Sequence, residues 1–163
     1  MSASVSPKES VLAALREVLK APGFKKRGAV FHRASMDVVH LVGLQSSASS
    51  TIHATKVTVN LAVWCKRLAD PGVEPSVMTA HWRCRLGELM PLHSDAWWSL
   101  PGKGAAALAE NEITSALKAY GIPALDALQD CASLLALWDA GRSPGLTKIQ
   151  ALRYSEILRA SVV

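Results

Sequence analysis

Aromatic residues are scarce, cysteines are few, and no apolar run is long. Phe, Trp and Tyr make up 6% of the chain, and alanine supplies much of an apolar total of 50%, which indicates a globular protein rich in helix formers. Cys65, Cys84 and Cys131 are odd in number, far apart and without a C-x-x-C pair. Neither a disulfide framework nor a zinc site is suggested, and reduced cytosolic thiols are the expectation. His, Lys, Arg, Gly or Ser interrupts each apolar stretch well before the ~18 residues of a membrane span. Residues 1–7 are polar, with no hydrophobic signal core, so a soluble cytoplasmic protein without membrane association is expected. There is no Gly-rich phosphate loop, no G-x-S-x-G elbow and no carboxylate cluster, so the sequence displays no catalytic machinery and calls for no cofactor.

What is present is a chain of 163 residues with 19% charged side chains, long enough to close one core without a staple and too apolar for the disordered class. A single domain over residues 1–163 is expected, with a core at about 7–141 and a C-terminal helical extension at 142–163. Eighteen Lys and Arg against thirteen Asp and Glu leave +5, a mild bias toward anionic partners. The one dense basic cluster is Lys25, Lys26 and Arg27. That is too little for a nucleic-acid footprint, and the three residues read as a solvated loop anchored by Phe24.

Ser6-Pro7-Lys8-Glu9 is a capping box with proline at the first helical position. Val11, Leu12, Leu15, Val18 and Leu19 then form one apolar stripe, so a helix is predicted over residues 7–20. From Gly28 the period changes to two. Residues 28–34 and 38–45 read as a hairpin about Ser35-Met36-Asp37, residues 56–65 as a third strand and residues 80–86 as a fourth. A short helical turn is predicted to hold Trp97 and Trp98 and to end at Pro101-Gly102. A helix follows from Ala105 to Gly121, which would serve as its left-handed cap. Further helical pieces are expected at 123–129 and 130–140, with Asp130 as N-cap and Gly141 as stop. A last helix has Thr147 and Gln150 as capping box and Leu146, Ile149, Leu152 and Ile157 as inner stripe. The result is α+β: an N-terminal helix, a four-stranded mainly antiparallel sheet, and C-terminal helices on one sheet face.

Several segments occur in an order that is similar to a known family: Gly23-Phe24-Lys25-Lys26-Arg27-Gly28, Thr58-Val59-Asn60-Leu61-Ala62-Val63, Arg85-Leu86-Gly87-Glu88-Leu89, Trp97-Trp98-Ser99-Leu100 and Ile122-Pro123-Ala124-Leu125-Asp126. Together, over about residues 12–138, they resemble the bacterial domain-of-unknown-function family numbered 4304. The resemblance implies a compact α+β domain and carries no catalytic residue. The Ala-rich helices, the Trp64-Cys65 strand end and the extension after Gly141 depart from the pattern.

The alternation of the third strand directs the functional reading. If Val57, Val59, Leu61 and Val63 point inward, then Lys56, Thr58, Asn60 and Trp64 point outward. The fourth strand adds His81, Arg83 and Arg85 to that side, and Gln45 joins if Val42 and Leu44 point inward. Arginines pair with carboxylate or phosphate, and an indole supplies a flat wall. The competing reading is an ordinary wet sheet face with Arg83 and Arg85 paired to Glu88 or Asp95. His81 and Cys84 fall on opposite strand faces, so they make no metal pair. His32, His40, His53 and His93 lack metal-type spacing, and no metal site is expected. Cys84 and Cys65 fall on the core side, where a thiol stays protonated.

The expected function is a small non-enzymatic binding module. Arg83 and Arg85 would pair with an anionic ligand, Asn60 and Gln45 would orient it, Trp64 would form a wall, and Lys56 and His81 would lie beside them. The alternative is a protein-interaction domain, either a homodimer or a toxin-neutralising partner, and the positive charge counts against neutralising a basic nuclease. An enzyme acting on an anionic metabolite, with His81 as acid or base, stands third, and nucleic acid is disfavoured.

Overall fold

A computed structural model describes residues 5–51, 55–100 and 106–161. His53, Ala105 and the Pro101-Gly102 stop lie outside them. The chain opens with α1 (Pro7–Lys20). The Ser6 hydroxyl accepts from the Glu9 N–H, and the Glu9 carboxylate accepts in return from the Ser6 N–H, so two donors at the helix start are satisfied reciprocally. Val11, Leu15 and Leu19 are buried from this helix, as its stripe predicts.

Six strands form one antiparallel sheet: β1 (Lys25–Arg27), β2 (Val30–Ser35), β3 (Val38–Ser46), β4 (Thr55–Cys65), β5 (Trp82–Arg85) and β6 (Trp98–Leu100). They run in the order β1-β2-β3-β4-β5, with β6 also on β4. β5 pairs with residues 60–63 of β4, and β6 with residues 55–57. The two share one edge of the central strand, and a single helical turn, α2 (Leu86–Leu89), stands out between them.

Two strands were not expected. Lys25, Lys26 and Arg27 form an edge strand rather than a loop, because Gly28 at φ +63° turns the chain straight back onto β2. Phe24 is buried beside them, as expected. Trp98 opens β6 and Trp97 lies just before it, so neither is on a helical turn. Trp98 is buried and donates from Nε1 to Glu112.

Beyond β6 the helix runs without a break through α3 (Ala106–Ala116), a π-helical turn at Leu117–Gly121 and α4 (Ile122–Asp126). Gly121 is not the left-handed stop expected of it, because its φ is −72°. The glycine is needed for closeness: a Cβ there would lie 2.7 Å from Leu117 Cδ1 and 3.2 Å from Leu86 Cδ1. α5 (Cys131–Asp139) starts on the Asp130 cap and is followed by Gly141 at φ +81°. α6 (Lys148–Ala160) starts on the Thr147–Gln150 capping box.

Of the predicted α6 stripe, Leu146 packs against the core, whereas the middle of the stripe faces outward. Ile149 is 80% exposed and Leu152 60%, while Ser155 and Leu158 are buried. Burying serine is tolerable because its hydroxyl donates to the Ala151 carbonyl one turn back.

The main core lies between the sheet and the helices. Phe31, Val42, Leu44, Val57, Val59, Leu61, Val63, Trp82 and Cys84 meet residues such as Leu15, Ile113, Leu117 and Leu134 there. A polar stitch runs through it. Arg33 donates to the Nδ1 of buried His40, whose Nε2 lies 2.7 Å from the Leu128 carbonyl, and Arg33 also pairs with Asp126 at 2.8 Å. Burial and the Arg33 charge lower the His40 pKa, so the neutral ring is held between strand and helix.

The expectation of reduced thiols is overturned. Cys65 at the end of β4 and Cys131 at the start of α5 form a disulfide. An odd count and wide spacing conceal such a pair, because only the fold brings the two ends together.

Candidate functional site: the outward face of the sheet

The β3–β4 register opposes Val42 to Leu61 and Leu44 to Val59. These residues are buried, and the four inward valines and leucines of β4 send Lys56, Thr58, Asn60, Ala62 and Trp64 to the other face. β5 places Arg85 opposite Asn60 and Arg83 opposite Ala62, while the His81 N–H donates to the Val63 carbonyl. Gln45 lies opposite Thr58, so the predicted residues do share one face. Cys84 points the other way, and burial pushes its thiol up to about 12, with Glu88 adding to the shift.

That face is not simply wet. The segment between β4 and β5 folds back over it, and Leu41, Ala62 and Ala80 are buried there in a second, smaller apolar cluster with Val30, Val39, Trp64 and Val77 around them. β3 is apolar on both sides for this reason. Near β6, Thr58 is buried and donates to the Ala96 carbonyl. Of the hollows on this face, two are lined by Arg83.

The larger hollow is an open trough of about 890 Å³, whose lining includes Gln45, Asn60, Arg83, Arg85 and Asp95. The Asn60 amide donates to Gln45 Oε1 at 2.8 Å, so each side chain holds the other in place and keeps part of its hydrogen-bonding capacity free. Arg85 pairs with Asp95 and stacks 5.1 Å from the centre of the Trp97 ring. Trp97 Nε1 donates to the same carboxylate. The charge of Arg85 is therefore met within the protein.

The smaller hollow, of about 350 Å³, lies between Trp64, His81 and Arg83 on the sheet and Gln150, Arg153 and Tyr154 on α6. His81 is 4% exposed. Its Nδ1 accepts from the Cys65 N–H at 2.9 Å, and its ring meets Tyr154 edge-on. Burial lowers its pKa to about 4, against the pull of the Asp70 charge and a hydrogen bond with the Leu68 backbone. The ring is thus neutral at pH 7 and occupied by the fold, which is unfavourable for an acid or base.

Arg83 differs from Arg85. It makes no ion pair among the described residues. Its Nη2 donates to the Gly145 carbonyl at 3.0 Å, and its Nε is out of solvent with no acceptor. Gly145, at φ +76°, is held against it so closely that a Cβ would lie 2.9 Å from the Arg83 carbonyl oxygen. Lys56 is exposed at the far end of β4, opposite Ser99, and lines neither hollow. The predicted residues therefore divide: Gln45, Asn60 and Arg85 at the trough, Trp64 and His81 at the smaller hollow, Arg83 at both, and Lys56 apart. Sequence reasoning missed Gln150, Arg153 and Tyr154, because assigning Ile149 and Leu152 to the interior turned the helix the wrong way.

Residues 15–127 match the family described as Domain of unknown function (DUF4304). The chain belongs to this family. The match includes all six strands and the long helix, and it stops before α5 and α6. Searches of the curated proteins and of the solved structures return no match. Among the described residues, no helix is long and apolar enough to cross a membrane, and no group of three His, Cys, Asp or Glu gathers to hold a metal.

Proposed function

We propose that this DUF4304 member is a non-enzymatic binding module that holds a small anionic ligand on the outward face of its sheet. The observation that carries this reading is Arg83: a half-buried guanidinium, without a carboxylate partner among the described residues, lining both hollows. A half-buried guanidinium without a counter-charge is suited to an oxyanion, which can take charge-assisted hydrogen bonds from it. Arg85 stacks in place at the trough, with Asn60 and Gln45 as orienting amides. Trp64 is the wall of the smaller hollow and His81 braces it. Lys56 contributes long-range attraction.

The test is equilibrium dialysis of the wild type and an Arg83→Ala/Arg85→Ala variant against phosphate and succinate. Losing charge-assisted hydrogen bonds should weaken binding by about tenfold to a hundredfold, with the circular dichroism spectrum retained. Equal affinity in the two proteins would remove the assignment.

Self-association stands second, favoured by Ile149 and Leu152, exposed one turn apart on α6. Pairing through the free edge of β1 is opposed by three adjacent cations, Lys25, Lys26 and Arg27. A monomer at every dilution in light scattering would eliminate this reading. A cytoplasmic location belongs to the same proposal. The Cys65–Cys131 bond stands against it, since disulfides persist mainly in oxidising compartments, and thiol labelling in fresh lysate decides the point.

A further inference from the structure

We infer that the hollow between β5 and α6 is a site for a small ligand combining an oxyanion with a flat apolar body, and that α6 sets its selectivity. This rests on the reading of the outward face as an anion-holding surface and goes on to name the subsite and the ligand class. A volume of about 350 Å³ lies within the roughly 300–1,000 Å³ of small-molecule pockets, enough for one ring and its acid group.

The charges in the hollow favour an anion. Arg83 and Arg153 supply two cations, and neither has an ion pair among the described residues. Asp70 is the single carboxylate in the lining, and His81 is neutral. Two donors belonging to the lining side chains, Trp64 Nε1–H and Arg83 Nε–H, are out of solvent with no acceptor. Such orphans are unfavourable in a folded protein, and both belong to side chains that line the hollow. Trp64 offers an indole to a flat group, and Tyr154 is steadied by ring contacts with both His81 and Trp138.

The helix side of the hollow comes from Gln150, Arg153 and Tyr154, beyond the family match at residue 127. The sheet side lies within the match. Ligand preference in this chain is therefore a property of its extension.

The test is an NMR titration of the Trp64 indole resonance, assigned with Trp64→Phe, using phenyl phosphate, inorganic phosphate and benzyl alcohol as probes. Phenyl phosphate should bind best, phosphate about tenfold more weakly, and the alcohol not at all at roughly 10 mM. Arg153 is exposed and unpaired, so Arg153→Ala should leave the melting temperature unchanged and weaken phenyl phosphate about tenfold. Arg85 lines the trough and not this hollow, so Arg85→Ala should weaken phenyl phosphate less than Arg153→Ala does. If Arg153→Ala binds phenyl phosphate like the wild type and Arg85→Ala loses it, the subsite is wrong and the anion-holding face stands. If no anionic probe moves the Trp64 signal or raises the melting temperature, both fail.

Discussion

At the scale of single residues, three glycines do different work. Gly28 supplies a left-handed turn, and Gly121 lets the π-helical turn close on Leu61 and Leu86. Gly87 lies in α2 with the backbone of the following segment directly against it. A Cβ there would sit 2.3 Å from the Ser94 carbonyl oxygen and 2.5 Å from the Ala96 nitrogen. Backbone cannot rotate away as a side-chain tip can, so Gly87→Ala should destabilise the protein by about 3 kcal/mol, as read from urea unfolding. Because that segment carries Asp95, the partner of Arg85, the substitution should also disturb the trough. Nothing in the sequence distinguishes this glycine from one needed for its φ angle, since the requirement comes from a neighbour seven residues away.

At the scale of elements, legibility followed local completeness. α1 was readable because its cap, proline and stripe all lie within fourteen residues, and β4 because a central strand with one face in the main core shows strict alternation. β1 and β6 are three residues each and exist only through pairing with strands elsewhere, so no local pattern announces them. On α6 hydrophobicity and burial part company at Ile149 and Leu152, because its packing partner selects Leu158 and a self-satisfied Ser155. The disulfide joins two elements in the same non-local way. Its ends are 66 residues apart, and closing a loop of that size restricts the unfolded chain. Reduction, or Cys65→Ser/Cys131→Ser, should cost about 2–4 kcal/mol. Urea midpoints with and without dithiothreitol measure it, and equal midpoints would show that the bond contributes nothing.

At the scale of the whole molecule, the two buried histidines give the fold a pH dependence of known sign. The folded protein resists protonating His81 until about pH 4, whereas the unfolded chain takes up that proton near 6.5. Stability is therefore full above about 6.5, declines as the pH falls toward 4, and levels off below, with His81 alone accounting for up to about 3 kcal/mol. His40 acts in the same direction. Unfolding free energies measured from pH 7 to 4 should show this decline, and His81→Asn should flatten it. The candidate face was legible as a set of outward residues because strand alternation needs no tertiary information. Its division into separate hollows was not, because that depends on the Lys66–Ala80 connection, whose prolines and glycine mark a loop without showing where it lies.

The bond between Cys65 and Cys131 also determines how the molecule bears load. Tension applied at the two ends of the chain passes across the sulfur bridge and bypasses the interval of 66 residues, roughly 230 Å of extended polypeptide. β5, β6, α3 and α4 lie inside that interval and are shielded from the pull. α1 to β4 on one side and α5 and α6 on the other carry the load, and only a reducing agent would release the hidden length.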